Sequence, residues 1–241
     1  LAAALHLANL PRAHQHTAAL TTHPDIEISR AALVSIGHSE EPAAALRLLA
    51  NYLADDRLHA AIGSIRRCAQ WIAPQHLYSK LRPVLASHST EAVREGIHLA
   101  ADLRVPQAIE VAQWAWEPSH EVGVRRAAVA VAYSLHREDD AWALLTAAAE
   151  DPDTVGALLE SDPSALPPES RPRVADLVGS AATSDDPRLA TAGLASLGRW
   201  GAWQSRDRLA VLVDALGNLE RNDLWRHAVT GLVDGVARTA D

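Results

Sequence analysis

Residues 28–37 read ISRAALVSIG, and residues 189–198 read LATAGLASLG. The two stretches agree in step, with an aliphatic residue first, then Ala, Leu, Ser, a second aliphatic residue and Gly at matching positions. Self-similarity at long range is the signature of a repeat protein. Aligning on the opening aliphatic residue gives Ile28, Leu58, Val93, Val124, Val155, Leu189 and Leu224. The spacing runs 30, 35, 31, 31, 34 and 35 residues, so the echo at 189 lies five units after the one at 28. Four residues after each anchor stand Ala32, Ile62, Ile97, Ala128 and Leu159, then Leu194 one step late, then Ala228. Apolar residues at that spacing predict an amphipathic helix in every unit.

Start signals precede these helices: HPDIE at 23–27, ADD at 54–56, SHSTE at 87–91, EPSHE at 117–121, EDPDT at 150–154, TSDDP at 183–187 and ERND at 220–223. Asp, Ser and Thr cap the exposed N–H groups of a first turn, Pro fits that turn, and carboxylates favour the positive end of the helix dipole. The acidic groups Glu138-Asp139-Asp140 and Asp185-Asp186 are explained by this role without catalysis. A second helix is predicted in the first six of these seven units, over 41–54, 74–86, 106–117, 138–149, 168–182 and 204–217, while the seventh shows only a first helix at 223–238. Their apolar stripes include Leu46/Leu49/Leu53, Ile109/Ala112/Trp116 and Leu209/Leu212/Leu216. A pair of helices of about 13 residues cannot shield both stripes alone, so neighbouring pairs must stack.

Composition agrees. The 241 residues include 48 Ala and no Phe or Met, and 21 of the 22 basic residues are Arg, with Lys80 alone. Ala, Leu and Arg lead the helix-propensity order, whereas strand-favouring residues are thin. The expected fold is all-α: a right-handed α-α superhelix of about seven two-helix repeats. These make one domain over 1–241, with a partial unit at 1–22 and units starting near 23, 55, 88, 119, 151, 184 and 219. Neither end carries a convincing polar capping repeat, which leads us to expect a fragment or internal domain of a longer chain. In the fifth unit Asp162-Pro163 interrupts the first helix, which predicts a shortened or kinked element.

The stretches STEAVREGIHLAA (89–101) and SHEVGVRRAAVAVA (119–132) resemble HEAT repeats, in particular the short type of phycobilin-lyase-like proteins. The resemblance implies a HEAT-like solenoid whose second helices line a concave surface that holds partners. It also implies that Arg94 and Arg125, just after their anchors, form a structural ladder to the adjacent unit. Trp225 takes that position in the last unit.

The outward positions of the second helices supply the candidate partner-binding residues: Arg47, Asn51, Ser79, Arg82, Glu110, Gln113, Trp114 and Asp214, with Thr146 between the last two. Trp114 is rotated about 200° from the Ala112/Trp116 stripe and is expected to face outward. Trp116 and Trp142 are assigned to the core. Trp200 and Trp203, in GRWGAWQS, fall at an inter-helix turn as hinge packing or an edge contact.

A net charge of −8 opposes general nucleic-acid binding, because neutralising phosphates needs a basic surface. Cys68 stands alone and excludes an internal disulfide. No apolar run reaches the ~18 residues of a membrane span, and LAAALHLANL lacks a basic n-region, so a cytoplasmic protein is expected. His14, His16 and His23 lack partner Cys and metal-site spacing, so no metal and no cofactor are assigned. No phosphate loop, nucleophile elbow or Cys-x-x-Cys occurs, and no catalytic residue is assigned. The expected function is a non-catalytic protein- or peptide-binding scaffold. Residues 111–131 faintly resemble HEAT-like alkylpurine DNA glycosylases, which makes DNA repair the alternative. The repeat subtype also admits a prosthetic-group lyase or chaperone-like helper.

Overall fold

A computed structural model describes residues 11–36, 62, 66, 73–217 and 223–239. The described residues contain helices and no strand. In chain order the helices are α1 (Pro11–Leu20), α2 (Ile26–Ile36), α3 (Pro74–Leu85), α4 (Thr90–Asp102), α5 (Ala108–Trp116) and α6 (Val122–Ser134). They continue with α7 (Asp139–Ala149), α8 (Val155–Leu159), α9 (Arg171–Ala182), α10 (Pro187–Trp200), α11 (Arg206–Gly217) and α12 (Asp223–Thr239). Short 3₁₀ turns occupy Pro163–Ala165 and Gly201–Trp203. The second helix expected over 41–54, with Leu46, Leu49 and Leu53, lies outside the described residues, as do Leu58 and Cys68.

The starts are built as the sequence predicts. Ser89 accepts the Ala92 N–H at 3.3 Å, and Asp186 accepts the Arg188 N–H at 2.7 Å. Pro74 and Pro187 open their helices. Even His23 acts locally, its Nδ1 accepting the Asp25 N–H at 3.0 Å. Asp139 and Asp140 fall in the first turn of α7, next to the exposed N–H groups, while Glu138 precedes that turn without a side-chain cap bond.

The chain forms two compact units, Leu1–Val111 and Ala112–Asp241, dividing within α5. In the first, α1 packs on α2 and α3 on α4. Ser29 is buried and donates to the Thr21 carbonyl at 2.6 Å, tying α2 to the turn that follows α1. Gly96 of α4 faces the Val84 side chain of α3 closely.

In the second unit the packing follows one rule. Each second helix contacts the next first helix (α7 with α8, α9 with α10, α11 with α12). First helices also contact first helices (α6 with α8, α8 with α10, α10 with α12), and second contact second (α7 with α9, α9 with α11). This neighbour-to-neighbour pattern makes a two-layer stack of helix pairs, the α-α solenoid class. Its interior is filled by side chains such as Val124, Leu145, Leu158, Val178, Leu197 and Leu212, all essentially without solvent contact. Each such aliphatic side chain is worth about 1.5–3 kcal/mol on burial.

The aliphatic anchors Val93, Val124, Val155 and Leu189 are buried. Ile28 departs from the pattern at 39% exposed, although Ala32, Leu33 and Ile36 on the same helix are covered. The one-step displacement of Leu194 also has a physical reason. Gly193 occupies the position held by Ala32, Ala128 and Ala228 elsewhere, and a Cβ there would lie 2.6 Å from Ala182 Cα. Only glycine lets α10 settle this closely on α9.

Polar bonds one repeat long tie the stack together. Arg125 pairs with Asp151, and Arg126 Nε donates to the Asp153 carbonyl at 2.8 Å. Tyr133 Oη donates to the Asp162 carbonyl at 2.7 Å, Arg188 pairs with Asp153 at 2.6 Å, and Gln204 Nε2 donates to the Ala175 carbonyl at 2.6 Å.

The fifth unit shows the consequence of Asp162-Pro163. Its first helix stops at Leu159, and Asp162 then caps a 3₁₀ turn by accepting the Ser164 N–H at 2.8 Å. The neighbouring first helices α6 and α10 run 13 and 14 residues.

Candidate functional site

The second helices present their outer faces in the positions that the apolar stripes leave over. Ser79 and Arg82 are exposed on α3, and Glu110 is exposed in the first turn of α5; these belong to the first unit. The Ser79 hydroxyl donates back to the His76 carbonyl at 3.0 Å. In the second unit Gln113 on α5 and Asp214 on α11 are exposed. Thr146 of α7 is exposed and bonds to the Trp142 carbonyl at 2.9 Å. Arg47 and Asn51 lie outside the described residues.

Trp114 is half-buried rather than fully outward. Its ring stands edge-to-face on His120, with centroids 4.4 Å apart and planes at 71°. The His120 residue follows α5 in the turn to α6, so the chain folds its own loop against the indole. That contact fixes the ring orientation while leaving part of it accessible, as suits a binding aromatic.

Trp116, assigned to the core from its stripe, is also only half-buried. The Arg125 guanidinium lies 4.9 Å above its ring, so the indole forms the underside of the Arg125–Asp151 bridge. Trp142 is buried as expected, yet Arg173 of the next second helix lies 4.1 Å over its face. Trp200 is fully buried in edge-to-face contact with Tyr133 and Trp203, which resolves its part in the turn as packing.

Two residues that the sequence reading did not select belong to this layer. Arg173 reaches back to Trp142, and Arg208, 28 residues beyond Ser180, donates to its hydroxyl at 3.0 Å. Each Arg directly precedes the first buried aliphatic residue of its helix, Val174 or Leu209. That shared register was visible in ESRPRV and QSRDRL. Exposed Asp176 stands beside Arg173 on the same helix, so the layer mixes both charge signs.

The first-helix layer carries a different feature. Where α8 stops short, a cavity of 710 Å³ opens, lined by Gly156, Leu159, Glu160, Ala192, Ser196 and Arg199 among others. Arg199 Nη1 bonds to the Leu159 carbonyl at 3.3 Å and closes part of its rim.

Burial moves the titration of the Tyr133 phenol and of the half-buried His98 imidazole. Tyr133 is pushed up from the ordinary phenol value, chiefly by burial and secondly by the Asp162 charge. Burial lowers the His98 imidazole, against the opposing pull of Glu95 and Asp102. Among the described residues, no group of three or more His, Cys, Asp or Glu could hold a metal ion. Among the same residues, no helix is long and apolar enough to cross a membrane.

No protein-family model matches this sequence, and no curated protein matches it. Several solved structures align with this chain over most of its length. The chain resembles a TOG domain array of crescerin, described as regulating microtubules in the primary cilium, with TM-score 0.37, 13% identity and coverage of 92% of this chain and 89% of that one. It resembles a designed armadillo repeat protein in complex with the peptide (KR)4, with TM-score 0.35, 13% identity and coverage of 91% and 98%. It also resembles an engineered protein, with TM-score 0.30, 15% identity and coverage of 93% and 98%. Scores of this size assign no family, and the solenoid class rests on the helix packing described above.

Proposed function

We propose that this chain is a non-catalytic cytoplasmic scaffold that holds a protein or peptide partner on the face made by its second helices. One observation supports this more than any other: Trp114 is a large aromatic held in one orientation by His120 and still partly open to solvent. Rigid, partly accessible aromatics flanked by hydrogen-bonding groups are where binding energy concentrates in protein interfaces. Beyond α5, the packed layer of α7, α9 and α11 offers Thr146, Arg173, Asp176, Ser180 and Asp214, a row able to hydrogen-bond a peptide backbone and side chains. Ser79, Arg82 and Glu110 in the first unit and Gln113 in the second are proposed as partner contacts, each within its own unit. The repeat type seen in 89–101 and 119–132, similar to phycobilin-lyase-like HEAT units, is part of this proposal as an architectural relationship only.

Selection of a random phage-displayed peptide library on the whole chain tests the reading. Peptides enriched on the wild type should bind Trp114→Ala at least about tenfold more weakly, a loss of about 1.4 kcal/mol, while circular dichroism is unchanged. Equal binding by the variant would exclude this face. A parallel gel-shift titration with duplex DNA separates the nucleic-acid alternative, because phosphate binding must weaken steeply with salt.

A further inference from the structure

The 710 Å³ cavity of the first-helix layer lies apart from the second-helix face and owes its existence to the short α8. That helix ends after 5 residues, whereas α10 beside it runs for 14. The α10 stripe Ala192, Ala195, Ser196 and Arg199, at i, i+3, i+4 and i+7, therefore fronts an open space instead of a full-length neighbour. Gly156 lines the opposite wall, and a Cβ on it would meet nothing within 4 Å.

Two opposite charges stand at the end where α8 stops. Arg199 Nη1 donates to the Leu159 carbonyl at 3.3 Å, and the next residue, Glu160, lines the same cavity. The two side chains are exposed and form no ion pair with each other or with another described residue. With Nη1 engaged, the guanidinium still offers Nε and Nη2, the edge that holds a carboxylate through two parallel bonds. The Glu160 carboxylate accepts and cannot donate.

The hydroxyls of the cavity have also committed their protons. Ser196 Oγ donates to the Ala192 carbonyl at 2.9 Å, and Thr230 Oγ1 to the Arg226 carbonyl at 3.0 Å. Towards the cavity both oxygens can only accept. A ligand must therefore bring several donors for Glu160, Ser196 and Thr230, and one planar acceptor for Arg199. A phosphate lacks the donors, and a simple cation leaves Arg199 unanswered. A peptide supplies amide N–H groups, a cationic side chain and a terminal carboxylate together. Its size also fits, because pockets for small ligands run to about 300–1,000 Å³.

We propose that this cavity binds the C-terminal end of a peptide, with the terminal carboxylate on Arg199 and a neighbouring Lys or Arg side chain on Glu160. Backbone N–H groups face the Ser196 and Thr230 oxygens, and a small side chain enters the hollow between Gly156 and Ala192. The site is independent of the Trp114 face.

The probe is fluorescein-labelled Gly-Gly-Lys-Ala with a free C-terminus, titrated with the whole chain and read by fluorescence anisotropy. Saturable binding is expected with Kd on the order of 0.1–1 mM. The same peptide as its C-terminal amide, and the variant Arg199→Lys, should each bind about tenfold more weakly. Glu160→Gln should weaken the Lys peptide and leave a norleucine counterpart unchanged. Gly156→Leu, whose side chain enters the cavity, should abolish binding without lowering the thermal midpoint, since Leu is the better helix former. Trp114→Ala should leave binding unchanged, which separates this site from the face proposed above. Absence of saturation at about 10 mM, or equal affinity of the amide or of Gly156→Leu, overturns the proposal. So does displacement of the probe by free lysine as readily as by unlabelled peptide, which would assign the cavity to a free amino acid.

Discussion

Gly231 of α12 lies so close to Leu197 of α10 that a methyl group on it would overlap the Leu197 carbonyl oxygen. The neighbouring pair repeats the relationship, with Gly193 of α10 against Ala182 of α9. These contacts reverse an ordinary rule. Glycine inside a helix costs about 1 kcal/mol relative to alanine, so Gly→Ala normally stabilises. Here Gly231→Ala and Gly193→Ala should destabilise by about 1–3 kcal/mol, because two backbones must move apart. Gly156→Ala is the control, since a Cβ there meets nothing within 4 Å. It should be neutral or stabilising by up to about 1 kcal/mol. Urea unfolding of the three variants checks both signs.

The Arg125–Asp151 bridge should show coupling. Its side chains are 16% and 21% exposed, and Arg125 also stacks on Trp116. Removing one partner strands a poorly solvated charge, at a cost of about 3–5 kcal/mol for fully buried pairs and less at this exposure. We expect Arg125→Met and Asp151→Asn each to destabilise by roughly 2 kcal/mol, with the double variant less destabilised than the sum by about 1 kcal/mol. Additive effects in a double-mutant cycle would show that the two side chains act separately.

Stability should fall at both extremes of pH for reasons located beside Pro163. The Tyr133 phenol holds its proton more tightly folded than unfolded, because burial disfavours the phenolate. Its contribution is therefore complete below about pH 10 and lost as pH rises beyond it. The Asp162 carboxyl is lowered by hydrogen bonds from the Ser164 hydroxyl and N–H. Its contribution is present above about pH 4 and lost as pH falls below. Tyr133→Phe should flatten the alkaline limb and Asp162→Asn the acid limb. Urea midpoints measured across about pH 2–11 distinguish them.

Much of this arrangement was legible because its signals are local. Anchors, capping residues and the Asp162-Pro163 break act within one turn, so Val93, Val124, Val155, Leu189 and the shortened α8 could be placed from spacing. Contacts that depend on which helix lies opposite were not. LATAGLASLG displays Gly193 openly, but nothing local tells a helix-packing glycine from a helix-weakening one; the signal was that it replaces Ala32 and Ala128 in the repeat. The Trp116 indole sits on the apolar stripe, yet its fate was decided by Arg125 from the following helix. Likewise Trp114 was rotated away from the core by helical geometry alone, and the loop residue His120 then covered part of it. Arg47 and Asn51 lie outside the described residues, so the row they would begin is argued from the other members.

The central claim is that the helix pairs of the second unit are stabilised by their immediate neighbours rather than by a shared closed core. Native-state hydrogen exchange of Gly231→Ala, read by mass spectrometry over peptides of α6 to α12, tests it most directly. The account predicts loss of amide protection that is greatest in α12 and α10, smaller in α9 and α8, and least in α6 and α7. A uniform loss across α6 to α12 would contradict it.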